Sequence, residues 1–312
     1  MFDLILENGT VVDGTGTPGR RQDVGISGEC IAALGDLRGA QAARRVDVGG
    51  RIVAPGFIDV HTHHNDEMDG GIENIPSADN YLRQGVTTCV GGNCGGTAFP
   101  IGPHLERVSR LQIRSNYAAL DQGRGIILAP LEPHPEFQGK TLAEYLAGEP
   151  GDPFEATVAL CASGHISAIY LAMCEEDVVA YMRSPHVMAG SDGHLRVFGK
   201  GCSHPRNFGT FPRILARYVR ELGVLPLEEA VRKMTSLPAR RLGLRQRGVL
   251  EPGRIADVTV FDPERIQDHA TFTEGNAYAT GIDLVLLAGR IALEHDVTAA
   301  CGYGRVIRRG EG

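Results

Sequence analysis

A nearly continuous apolar run, Ile52 to Val60, ends at His61-Thr62-His63, and that ending constrains the chain more than any other feature. Side chains alternate across a β-strand with a period of two, so His61 and His63 project to one side and can share a metal ion. Phe57-Ile58 followed by Asp59 and the histidine pair is the pattern of a buried strand emerging at the carboxyl rim of a βα barrel. Two histidines in a surface loop would read the same way, so the pair needs partners from elsewhere in the chain.

Other apolar runs of the middle region also finish in polar residues. Val86 to Val90 leads into Gly91-Gly92-Asn93-Cys94-Gly95-Gly96. Ile126 to Ala129 precedes Pro130, Ile166 to Met173 is apolar apart from Ser167, and His186 to Ala189 leads into Gly190-Ser191-Asp192-Gly193. Helical patterns fall between or after them, at 78–84, 141–147, 175–183, 211–222, 226–235 and 237–242, with Ser77 and Thr141 as N-caps. Alternating strand and helix favours parallel βα units. Cys94 lies among glycines at a strand end, where its thiolate can bind a metal; alone it would read as a packed thiol, and adjacency to the histidine strand tips the reading. Asp192 is either an ordinary turn aspartate or a carboxylate that takes and returns a proton.

The two ends of the chain share a different texture. Residues 3–53 and the runs at 257–261, 284–287 and 290–293 read as short strands broken by Gly and Pro. We expect an α/β chain: a TIM-like (β/α) barrel over 54–248 and a small β-sandwich domain built from both termini, 1–53 and 249–312. Residues 54–248 fall short of the about 200–250 that an eight-stranded barrel uses, so the barrel is expected to be incomplete. Exposed barrel edges would invite association with a second copy of the chain.

Composition excludes several partners. The 312 residues carry a formal net charge of −7 without a basic stripe, which argues against nucleic acid. No run approaches the ~18 apolar residues of a membrane span, and Asp3 and Glu7 are unlike a signal peptide. Seven cysteines, without a CxxC pair, suit a reducing compartment, so the cytoplasm is expected. Of the lysines, Lys140, Lys200 and Lys233, none lies at a strand end.

Pro55-Gly56-Phe57-Ile58-Asp59-Val60-His61-Thr62-His63 resembles the opening strand of the amidohydrolase superfamily. Gly92-Asn93-Cys94-Gly95, Val187 to Gly193, Ser203-His204-Pro205-Arg206 with Gly209 to Arg213, Lys233 to Ala239, and Arg247 to Gly253 with Ala256 to Asp262 resemble, more narrowly, the N-acyl-D-amino-acid deacylase (D-aminoacylase) family. The resemblance implies zinc-dependent hydrolysis of the amide of an N-acyl-D-amino acid, a small-molecule substrate. It implies His61, His63 and Cys94 as metal ligands, the cysteine replacing the carboxylated lysine of other superfamily members, and Asp192 as the catalytic acid and base. Arg206 would hold the substrate carboxylate, or else fasten its loop to a carboxylate such as Glu221. Relatives are longer, and the shortfall is expected between about Pro100 and Gly123, where two further histidine ligands would lie; His104, His134 and His165 are poor replacements. The rival readings are a cyclic-amide hydrolase of the dihydroorotase or hydantoinase type, and a catalytically impaired remnant.

Overall fold

A computed structural model describes residues 1–63, 78–91, 120–131, 134–163, 166–199, 203–299 and 303–307. The chain opens with β1 (Phe2–Glu7), β2 (Thr10–Val11), β3 (Arg20–Arg21), β4 (Asp23–Ser27), β5 (Cys30–Gly35), β6 (Ala42–Asp47), β7 (Ile52–Pro55) and β8 (Phe57–Asp59). A short helix α1 (Asp79–Leu82) precedes β9 (Val86–Cys89) and β10 (Ile126–Leu131). Then come α2 (Leu142–Leu146), α3 (Pro153–Ala162), β11 (Ile166–Tyr170), α4 (Glu175–Arg183) and α5 (Arg206–Arg213), which continues as a π-type helix over Ile214–Glu221. Last are α6 (Leu227–Met234), α7 (Ser236–Leu242), β12 (Val258–Phe261), β13 (Ile282–Leu287), β14 (Arg290–Glu294) and β15 (Val297–Thr298). Thr141 caps α2 through a reciprocal capping box with Glu144, as its spacing predicts.

Strands from the two ends share sheets and a core. One sheet has the order β5-β4-β1-β6; the other, β15-β14-β13-β12-β7-β2-β3, joins C-terminal strands to N-terminal ones. Leu4, Leu6, Val24 and Ile26 of the first sheet pack in one cluster with Val53, Val258, Val260 and Leu286 of the second. A second cluster sets Phe57, Tyr81 and Val86 against Phe211, Leu215, Met234 and Phe261. Phe57 stacks on Phe211 with centroids 5.8 Å apart, and removing such a ring from water contributes about 1.5–3 kcal/mol.

The apolar run Ile52 to Val60 serves two sheets rather than one strand. β7 pairs with β12 and β2, whereas β8 pairs in parallel with β9. The handover is at Gly56, whose N–H donates to the Asp257 carbonyl at 2.9 Å. A Cβ there would lie 2.1 Å from Oγ1 of Thr87, so only glycine leaves room for the Thr87 side chain of β9.

The middle region departs from parallel βα units at two places. β10 and β11 pair antiparallel, because two helices, α2 and α3, separate them and return the chain from the opposite end. His186 to Ala189 forms no strand. The Lys233 ammonium donates to the carbonyls of Ser184 and Val187, and Ala189 N–H donates to the Lys233 carbonyl, so these backbone groups are satisfied without a neighbouring strand. Among the described residues, no helix is long and apolar enough to cross a membrane.

Candidate metal centre

The end of β8 lies between two chain segments. On one side Thr62 N–H donates to the Val90 carbonyl just beyond β9. On the other, Thr62 and Gly193 form a parallel bridge, with Asp192 N–H donating to the His61 carbonyl and His63 N–H to the Gly193 carbonyl, both at 2.8 Å. The histidine strand and the 191–194 segment are therefore neighbours in space, and these bonds bring residues far apart in sequence into one site.

His61, His63 and Asp192 converge as a result: one ligand atom from each lies within 4.8 Å of the others. Oδ1 of Asp192 is 2.6 Å from Nε2 of His63 and 3.4 Å from Nε2 of His61. The two rings lie 5.3 Å apart, and His194 stacks on His63 at 5.0 Å. Asp192 has φ +54°, a left-handed conformation uncommon outside glycine. Its turn is fixed on each side: Ser191 N–H donates to Asp59 Oδ1 at 2.9 Å, and Gly193 N–H donates to the Ser191 hydroxyl at 2.9 Å.

Asp59 supports this arrangement from below. It is fully buried, and its Oδ1 also accepts from His61 N–H at 3.2 Å. Burial pushes its carboxyl above the usual range, partly offset by the bonds from Ser191 and His61. Among the described residues its Oδ2 has no hydrogen-bond partner, an expensive state for a buried carboxylate oxygen that a nearby cation would relieve. The two imidazoles and the Asp192 carboxylate form a donor set suited to a divalent cation.

Arg206, the first residue of α5, joins the cluster through Asp192, with Nη1 2.7 Å from Oδ2. Its carboxylate partner is thus Asp192 and not Glu221, which lies 3.7 Å from Arg220. Burial, reinforced by nearby arginines, lowers the imidazole pKa of His194 and of His204 to about 4, so both are neutral at pH 7. His204 Nδ1 accepts from the Arg206 N–H at 3.1 Å and helps to set the start of that helix.

Of the residues singled out in the sequence, His61, His63, Asp192 and Arg206 come together. Cys94, Ser77, His104 and His165 lie outside the described residues, as does nearly all of the segment Pro100 to Gly123. His134 stands apart, facing Glu136 and packing on Tyr145. Sequence reasoning gave no supporting role to Asp59, Ser191, His194 or Asn207. The acid interrupting an apolar strand at Asp59 is a readable signal; the others act through contacts that no local pattern encodes.

A model of the amidohydrolase family matches residues 173–293. D-aminoacylase of Alcaligenes xylosoxydans xylosoxydans is 27% identical over 483 residues, covering 99% of this chain and 98% of the relative. N-acyl-D-glutamate deacylase of the same organism is 29% identical over 99% of this chain and 97% of its own length. The structure of an N-acyl-D-glutamate deacylase from Bordetella bronchiseptica, complexed with zinc and a phosphonate mimic of the tetrahedral intermediate, superposes with a TM-score of 0.80 at 25% identity, covering 96% of this chain and 98% of that one. The first alignment runs over 483 residues and nearly end to end, yet this chain has 312, so the relative carries internal sequence without a counterpart here.

Proposed function

We propose that the chain, a homologue of D-aminoacylase and N-acyl-D-glutamate deacylase whose residues 173–293 match the amidohydrolase family, hydrolyses the amide bond of N-acyl-D-amino acids to a carboxylate and a free D-amino acid. The observation that carries the proposal is the convergence of His61, His63 and Asp192 within 4.8 Å, in a chain that aligns nearly end to end with D-aminoacylase.

His61 and His63 would hold the cation, which we propose to be zinc, with Cys94 as the third protein ligand. When bound, the cation supplies Lewis acidity, lowering the pKa of water toward ~7 and polarising the acyl carbonyl. Asp192 accepts the proton of the attacking water through its carboxylate and returns it to the leaving nitrogen, so that cleavage of the C–N bond yields a neutral amine. Its position, with Oδ1 toward the histidines and Oδ2 toward Arg206, supports that role. Arg206 binds the α-carboxylate of the substrate, which selects open-chain amino acids over neutral cyclic amides.

We propose the same division of the chain as the sequence suggests: a shortened barrel over 54–248, and a β-sandwich formed by 1–53 and 249–312. The test is a substrate panel of N-acetyl-D-amino acids, their L-enantiomers, hydantoin and dihydroorotate. Release of free amino acid from D-substrates alone supports the proposal; turnover of the cyclic amides alone contradicts it.

A further inference from the structure

Beyond the residues that face the substrate, a buried pair of side-chain amides grips the backbone next to Asp192. Asn207, the second residue of α5, is 2% exposed, and its Oδ1 accepts from the His194 N–H at 2.8 Å. Asn80, fully buried in α1, donates from Nδ2 to the His194 carbonyl at 3.0 Å. Both backbone groups of His194 are thus held by side chains, much as a neighbouring strand would hold them.

The two amides are themselves locked. The Asn207 backbone carbonyl accepts from Asn80 Nδ2 and from Gln84 Nε2, each at 2.9 Å. Asn207 Nδ2 donates to the Ser203 hydroxyl at 2.6 Å. Asn80 faces two carbonyls, so only its NH2 group can point that way, which fixes the orientation of the amide. Asp192 sits two residues before His194 with φ +54°, and a strained conformation of this kind persists only where its surroundings over-determine it.

We propose that Asn207, with Asn80, is a positioning residue that holds the Asp192 turn in its left-handed conformation and so aims the carboxylate at the histidine pair. The catalytic arm of the test rests on the function proposed above; the structural arm does not. Asn207→Ala removes the acceptor for the His194 N–H, whereas Asn207→Asp keeps an acceptor of the same shape.

Steady-state kinetics on the zinc-loaded protein should show kcat of Asn207→Ala falling about tenfold or more, KM changing less than about threefold, and Asn207→Asp recovering most of the loss. Hydrogen exchange read by mass spectrometry should show faster exchange in peptides containing residues 191–194 of Asn207→Ala, with β1, β12 and β13 as protected as in the parent. An unchanged kcat in Asn207→Ala, or a loss of protection spread evenly over the molecule, overturns the proposal. If Asn207→Ala does not fold, Asn207→Asp decides: parent-like protection at 191–194 supports the clamp, and lost protection there overturns it. A parent protein without deacylase activity would refute the proposed function, while the exchange measurement would still judge the clamp.

Discussion

Arg206 Nη1 lies 2.7 Å from Oδ2 of Asp192, while the other carboxylate oxygen faces His63 at 2.6 Å, so one aspartate connects the histidine strand to the first turn of α5. Both partners are partly open to solvent, with side-chain exposures of 33% and 43%, so the ion pair itself adds only about 0–1 kcal/mol to stability. Its consequence is alignment: on the mechanism we propose, the guanidinium that would meet the substrate carboxylate is held beside the carboxylate that would move the proton.

Replacing Arg206 by Ala should therefore raise KM for N-acetyl-D-amino acids by about 10–100-fold, with a smaller effect on kcat. The decisive comparison is with substrates whose carboxylate is blocked as an amide. The parent should prefer the free carboxylate, and the variant should not. Arg206→Lys should restore little, because an ammonium lacks the planar fork.

Asp192→Asn keeps the shape of the side chain and removes its basicity. We expect a folded protein whose kcat is lower by about 10²–10⁴. Thermal melting and circular dichroism check the fold, and retention of more than a tenth of the parent kcat would remove Asp192 from proton transfer.

Gly56→Ala tests the handover between sheets. The new Cβ would fall 2.1 Å from Oγ1 and 2.7 Å from Cβ of Thr87, so rotating that side chain cannot relieve the clash, and a loss of about 1–3 kcal/mol is expected in urea unfolding. Adding Thr87→Ala removes the nearest atom and should recover part of it. An additive double variant would contradict the contact.

Burial gives His204 a folded-state pKa of about 4, below its ordinary 6.5. The folded form thus resists a proton that the unfolded chain accepts, so the contribution of His204 to stability is fully present above pH 6.5 and is lost as pH falls toward 4. Melting temperatures measured across this window should fall with pH, and His204→Gln should flatten part of that slope. A slope identical in the variant would assign the acid sensitivity to other groups.

Much of the site is legible in the sequence because its residues sit at the ends of apolar runs. His61 and His63 follow from the strand period, and Asp192 from the Gly-flanked turn after an apolar segment. What is not legible depends on distant contacts. His186 to Ala189 looks like a strand, but a lysine from α6 takes the Val187 carbonyl and that of Ser184 just before the run. β6, Ala42–Asp47, has little apolar pattern because none of its residues is buried, and its strand conformation comes from pairing with β1. Asn80 and Asn207 have no local signature at all, since their importance arises only where α1 and α5 meet the 191–194 turn.

Zinc binding tests the convergence of His61, His63 and Asp192 most directly. The protein should be stripped with a chelator, titrated with zinc and assayed for release of free D-amino acid, alongside His61→Ala and His63→Ala. We expect tight uptake of zinc by the parent with turnover rising in step, and loss of both in each folded histidine variant. Zinc bound as tightly by the histidine variants, or full turnover in the stripped parent, would contradict a metal centre at these residues.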